Sequence, residues 1–260
     1  MNIEVILTPA ELPALSQRDL AGTVCVVFDV LRATSTFVTA LRNGADAIIP
    51  VSEISEALEI KKKQPEVLLG GERHGVKIRV EGTDFDFGNS PREYLPGKVK
   101  GRTIVSTTTN GTRALRACAK AKMVFAGAFL NLGATAKFLR DKQFENIVIV
   151  CAGTHENAAL EDILAAGALC ELLLDGKTDV MLSDSARVAV ASFEQSKNEL
   201  AGAVGKSENA ARLLSIPELR DDVAFCLQRD EFDFVAAMEG EAIRSLLDRL
   251  NRGRARKVVQ

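Results

Sequence analysis

Four short stretches of this 260-residue chain crowd carboxylates, arginines and hydroxyls together. They are "FDVLRATST" with Asp29, Arg32 and Thr34; "GGERHG" with Glu72 and Arg73; "STTTNGTRAL", which runs from Thr107, Thr108 and Thr109 through Asn110, Gly111 and Thr112 to Arg113; and "CAGTHENAALEDILAAG" with Glu161 and Asp162. Arg32, Arg73 and Arg113 offer planar paired donors to oxyanions, and a hydroxyl-rich helix start adds free backbone N–H groups. Asp29, Glu72 and one of Glu161 or Asp162 are oxygen donors suited to a hard cation such as Mg²⁺. A site with both kinds of group suits phosphate chemistry, in which a metal and arginines spread the charge on the transferring group.

Each stretch also has a purely structural reading. Asp29 and Arg32 can pair across a turn. Thr34 to Thr36 can cap a helix, the better reading for Ser35. Thr107 and Thr108 suit a strand, and acids in a first helical turn are expected from the helix dipole. Glu161 and Asp162 are adjacent, about 100° apart on a helix, so at most one of them faces a site. His74 and His155 read as polar loop residues, with no His–Cys spacing for zinc. Familiar motifs fail. "LAGAVGKS" has Leu200 where a phosphate loop needs its first glycine. "FDVLRAT" has Leu31 where aspartyl-phosphate phosphatases need a second acid. No GxGxxG follows a strand and no GxSxG is present.

The elements that must position these residues alternate in type. "IEVIL", "TVCVVFDV", "ADAIIPV", "EVLLGG", "RTIVS", "KMVFAG" and "NIVIVCAG" read as strands, the second central because it is apolar almost throughout. "ATSTFVTALRNG" and the segment around "SEALEIKKK" read as helices, the first ending at Asn43-Gly44. This rhythm predicts a three-layer α/β/α fold with a largely parallel or mixed sheet, in one domain over residues 1–260. The repeated strand–loop–helix units hint at two similar halves meeting near 120–145. The four polar stretches follow strands, where ligands bind in open α/β sheets. Gly70–Pro96 breaks the rhythm and reads as a long functional connection. Beyond Asp175 the chain reads as mostly helical, with a short apolar run "FDFVAAM".

Hydrophobic residues make up 47% and charged residues 26%, enough for a packed core and against disorder. A net charge of −2 does not call for a polyanionic partner. The basic tail "RLNRGRARK" has no interleaved aromatics and reads as a solvated helix end, not a nucleic-acid site. Five scattered cysteines predict reduced, buried thiols in a cytoplasmic protein. No signal peptide or membrane-length apolar run is expected. Apolar helices in the C-terminal third allow a homodimer.

At "DVLRATST…AL.NGA", "GGERHG", "DFDFGNSPREY", "STTTNGTRAL" and "CAG…LEDILAAGAL", in that order from about Asp29 to Leu169, the chain resembles the 2-phosphosulfolactate phosphatase family. Beyond Leu169 the match thins to "SENAARLL" and "DDVAFCLQRD". The resemblance implies Mg²⁺-dependent removal of phosphate from (R)-2-phospho-3-sulfolactate, giving sulfolactate and inorganic phosphate, a step of coenzyme M biosynthesis where that coenzyme is made. It also implies an α/β topology of the family's own, neither Rossmann nor haloacid dehalogenase. Thr107 to Thr112 would then cradle phosphate or sulfonate oxygens, with Gly111 admitting the backbone. Asp29 and Glu72 would hold Mg²⁺, and water would attack in line while Arg32 and Arg73 steady the oxygens. Asn89 and Ser90 of "GNSP" would orient the substrate, and Asp162 would complete the metal shell or act as general acid. A covalent route through Asp29 stands second. Two alternatives remain at this level: a phosphatase for another small phosphorylated acid, and a non-catalytic anion-binding regulator. Against the regulator, clustered carboxylates repel a polyanion unless a cation lies between.

Overall fold

The apolar runs form strands and the periodic segments form helices in the order expected. A computed structural model describes residues 1–80, 82–176 and 179–246. The basic tail lies outside these residues. In chain order the strands are β1 (Asn2–Ile6), β2 (Thr23–Phe28), β3 (Ala47–Pro50), β4 (Leu68–Arg73), β5 (Val76–Lys77), β6 (Arg79–Val80), β7 (Thr83–Asp84), β8 (Thr103–Thr107), β9 (Met123–Gly127), β10 (Asn146–Cys151), β11 (Met181–Leu182), β12 (Ala236–Glu239) and β13 (Ala242–Ser245). The helices are α1 (Leu12–Gln17), α2 (Ala33–Arg42), α3 (Ile54–Lys63), α4 (Pro96–Val99), α5 (Gly111–Ala117), α6 (Leu132–Lys142), α7 (Leu160–Leu174), α8 (Asp184–Ser196), α9 (Leu200–Val204), α10 (Glu208–Leu214) and α11 (Arg220–Cys226).

One mixed sheet of eleven strands runs in the order β11-β1-β10-β2-β9-β12-β13-β3-β8-β4-β5. Strands β11, β1, β10, β2 and β9 are mutually parallel, and so are β3, β8 and β4. Between these blocks lies the β12–β13 hairpin, antiparallel to β9 on one side and to β3 on the other. Three successive antiparallel steps make the two blocks run in opposite directions. The apolar run "FDFVAAM" therefore becomes a central strand that joins the blocks. Strands from both sides of residues 120–145 share this one sheet.

Helices cover both faces, giving the three layers. One apolar cluster packs Val24, Val26 and Phe28 of β2 against Leu164, Leu169 and Leu173 of α7 and the helices behind it. The other packs Cys25 and Val27 against Phe37 and Leu41 of α2 and Leu115 of α5. Alternate residues of β2 thus feed opposite cores, which is why this strand is apolar throughout. Gly70–Pro96 is not the structureless connection expected. It contains the end of β4, the β4–β5 hairpin and the small β6–β7 hairpin. The five cysteines are buried free thiols. Among the described residues no helix is long and apolar enough to cross a membrane.

Candidate active site

Asp29 sits just past the carboxyl end of β2, at the edge of the core, and the local sequence holds it rigidly. The Ala33 N–H donates to Asp29 Oδ1 (3.0 Å), and the Thr34 hydroxyl bonds both the N–H and the carbonyl of Asp29. The Ser35 hydroxyl donates to the Val30 carbonyl and that of Thr36 to the Asn89 carbonyl. The three hydroxyls expected at this helix start are therefore committed to backbone, Thr34 included. Asp162 completes the clamp, accepting the Val30 N–H on Oδ1 (2.8 Å) and the Gly153 N–H on Oδ2 (2.9 Å). It ties the loop after β2 to the loop after β10.

The two sheet blocks meet here through their carboxyl ends. The Asn110 amide, after β8, donates to the carbonyls of Ala152 and His155, after β10. Gly111, which opens α5, packs directly on Asp29. A Cβ at this position would lie 2.7 Å from Asp29 Oδ2 and 2.7 Å from the Ala33 methyl. Only glycine permits this approach.

Between the blocks lies a cavity of about 150 Å³ lined by Asp29, Arg32, Glu72, Asn89, Thr109 and Asn110, with a rim of residues described below. Three donors fix Glu72 in place: Oε1 accepts the N–H and the hydroxyl of Thr109 (3.0 and 2.9 Å), and Oε2 accepts the Gly75 N–H, which leaves Oε2 a lone pair toward the cavity. Arg32 forms a fully buried ion pair with Asp222 of α11 at 2.7 Å, and its other terminal nitrogen donates to the Gly75 carbonyl. Asp222 also accepts the Ser90 hydroxyl (2.7 Å). Ser90 thus stands behind Arg32 and does not line the cavity, whereas Asn89 does.

The remaining expected site residues are placed elsewhere. Arg73 donates to the carbonyls of Glu72 and Ser52 and to the Thr107 hydroxyl, which itself donates to Ser52. Thr108 and Thr112 bond each other across the first turn of α5. Arg113 forms an exposed ion pair with Glu156. Of the hydroxyl-rich stretch, only Thr109 and Asn110 reach the cavity wall. The phosphate cradle expected over Thr107 to Thr112 is thus mostly a knot that ties strand to helix.

Burial pushes the Asp29 carboxyl up to about 7, and the charges of Glu72 and Glu161 add to the rise, while the Ala33 N–H and Arg32 partly oppose it. Burial likewise raises Asp162 well above the carboxylate range, with Asp29 and Glu161 contributing. Glu161 has one oxygen on the Asn209 amide (2.8 Å), while its Oε2 is buried with no hydrogen-bond partner. Asn89 Oδ1 is also buried and unpartnered. The carboxylates therefore outnumber the cations that could balance them, since Arg32 already belongs to Asp222.

This donor set is all oxygen, with two buried oxygens unsatisfied, and it fits a hard cation. Among the described residues no three His, Cys, Asp or Glu side chains form a ready metal cage. Mg²⁺ does not need one, because it keeps waters and takes one or two carboxylates plus substrate oxygens.

Several residues at the cavity were not singled out as site residues from sequence. His74 and His155, the chain's two histidines, both line it with left-handed backbones (φ 54° each) and ring centroids 6.4 Å apart. Thr154, Asn209 and Arg212 also line it. Asn209 and Arg212 come from "SENAARLL" and Asp222 from "DDVAFCLQRD", whose local signal is that of ordinary amphipathic helices.

A profile of the family described as 2-phosphosulpholactate phosphatase matches residues 7–241. A protein of Caldanaerobacter subterraneus subsp. tengcongensis is 42% identical over 237 residues, covering 90% of this chain and 95% of the relative. One of Thermotoga maritima is 44% identical over 213 residues, covering 82% and 88%. One of Clostridium botulinum is 36% identical over 245 residues, covering 94% and 99%. Each of the three is named a probable 2-phosphosulfolactate phosphatase.

Proposed function

The chain belongs to the 2-phosphosulfolactate phosphatase family, and from that premise we propose that it hydrolyses (R)-2-phospho-3-sulfolactate to sulfolactate and inorganic phosphate with the help of Mg²⁺. The observation that carries the reading is the placement of Asp29: a buried, backbone-clamped carboxylate facing a small cavity, beside Glu72 and within the field of Glu161. Asp29 and Glu72 would hold the cation, with Glu161 adding charge behind them, and when bound it would supply positive charge at the phosphoryl oxygens.

The chain's own groups do the rest. Arg32, fixed in orientation by Asp222, keeps guanidinium donors for a phosphoryl oxygen beyond the two bonds it already makes. Asn89 would orient the substrate through its amide N–H₂ donors, while its unpartnered amide oxygen, an acceptor, suits the cation or its waters. Asp162 holds the loops after β2 and β10 in register, since both its oxygens accept backbone N–H groups, and we assign it no proton transfer. The clustered carboxylates favour this reading over a metal-free anion sensor, whose ligand they would repel.

The test is phosphate release from (R)-2-phospho-3-sulfolactate, run with Mg²⁺ and with chelator, and beside phospholactate. Metal-dependent release that prefers the sulfonate is the expected result. Equal release from phospholactate would keep the phosphatase and reopen its substrate. Metal-independent release would refute the role given to Asp29 and Glu72.

A further inference from the structure

The cavity borrows one wall from the C-terminal third of the chain. Helix α10 lays Asn209 and Arg212 along it, opposite the loops that carry Asp29 and Glu72. Arg212 reaches across to the β4–β5 turn, where its Nη1 donates to the His74 carbonyl (3.1 Å). Its guanidinium lies on Gly75, so closely that a Cβ there would fall 2.0 Å from Nη1. Gly75 is at φ +78°, and its carbonyl accepts from Arg32 on the other side. Two guanidiniums thus converge on one glycine at the cavity.

Their charges are not equivalent. Arg32 is neutralised by Asp222, in a pair that is fully buried. Arg73 is turned into strand carbonyls and Arg113 is paired with Glu156 outside the cavity. Arg212 makes no ion pair among the described residues, although Glu208 stands one helical turn before it. Its one hydrogen bond is to a neutral carbonyl. Among the described residues it is therefore the cavity's one arginine with uncompensated charge.

A substrate whose phosphoester neighbours a sulfonate and a carboxylate brings more anionic oxygens than Arg32 can meet. We propose that Arg212 is the specificity-determining residue that binds the acidic group beside the phosphoester, the sulfonate or carboxylate, from the α10 wall. This rests on the phosphatase reading above for the identity of the substrate. Guanidinium suits the task because its paired donors match the oxygens of either group. The role would divide the substrate's anions between the two guanidiniums, with phosphate at Asp29 and Arg32 and the second anion at Arg212.

The test uses Arg212→Gln and Arg212→Lys with the full chain and Mg²⁺. Its probes are (R)-2-phospho-3-sulfolactate for kinetics, and sulfolactate and inorganic phosphate for equilibrium binding. The glutamine variant should raise KM and weaken sulfolactate binding about tenfold, with kcat falling far less than kcat/KM. Phosphate binding should change little, and lysine should recover part of the loss. Unchanged sulfolactate binding would overturn the proposal. So would a parallel loss of phosphate binding, which would mean that Arg212 merely braces the His74–Gly75 turn. Arg212-dependent sulfolactate binding by a protein that releases no phosphate would refute the phosphatase reading and uphold this one. A wild-type protein that binds neither probe would refute both.

Discussion

Replacing Asp29 with Asn should make the protein inactive and more stable, and the gain should depend on pH. The carboxyl rises from its ordinary 3.8 to about 7 on folding, chiefly through burial. The folded protein therefore holds this proton more tightly than the unfolded chain does. The stabilising effect of that proton is complete below about pH 4 and is lost as pH climbs through about 7. At about 1.4 kcal/mol per pH unit, the ionised carboxylate costs the folded state at most ~4 kcal/mol at pH 8. Repulsion shared with Glu72 and Glu161 accounts for part of this and relaxes when they adjust. Asparagine keeps the bond from the Ala33 N–H through its own oxygen. We expect a gain of about 2 kcal/mol, or roughly 4–8 °C in Tm, for a chain of this size at pH 8 in chelator. The gain should shrink to less than half by pH 5. Calorimetry of both proteins across that range is the assay, repeated with Mg²⁺, which should raise the Tm of the wild type and not of the variant. A variant that melts at or below the wild type at pH 8, or a gap that stays constant to pH 5, would refute the account of Asp29 as a buried, repelled carboxylate.

Three further outcomes follow from the geometry. Asp222→Ala leaves the Arg32 charge buried without its partner and should destabilise by about 3–5 kcal/mol in urea unfolding. Arg32→Ala, after which Asp222 keeps Arg92 at 3.7 Å and the Ser90 hydroxyl, should cost less, and replacing both should cost less than the two losses added. Gly111→Ala puts a methyl 2.7 Å from both Asp29 Oδ2 and the Ala33 side chain. It should cost about 1–3 kcal/mol and at least about tenfold in phosphate release, read from melting curves and initial rates. Arg113→Ala, which breaks an exposed pair with Glu156, should leave KM and Tm within error of the wild type. A large rise in KM would return Arg113 to the site.

The strands, the helices and the loops that carry the site were readable because each depends on nearby residues. The run "TVCVVF" is apolar on both sides of the strand, and that alone places β2 centrally. Asp29, Glu72 and Asn110 were readable as candidate site residues because unusual polar types cluster at strand ends, and Asn89 through the resemblance carried by "DFDFGNSPREY". What local sequence could not reveal was which polar groups answer to one another. Asp162 looks like a ligand until the Val30 and Gly153 N–H groups are seen on its two oxygens. Arg73 looks like an anion donor until three backbone and hydroxyl acceptors claim it. Arg212 and Asp222 look like surface charges on short helices until Arg212 is found on the cavity wall and Asp222 buried against Arg32. The β12–β13 hairpin was equally hidden, since its place between the blocks is fixed by pairings with β9 and β3 more than a hundred residues away. That hairpin sets one block antiparallel to the other, and the loops after β2, β8 and β10 nonetheless meet: Asn110 bonds the carbonyls of Ala152 and His155, and Gly111 packs on Asp29. These contacts join residues at least 42 positions apart, so no single stretch announces them, and it is through them that the separate polar loops gain a common site.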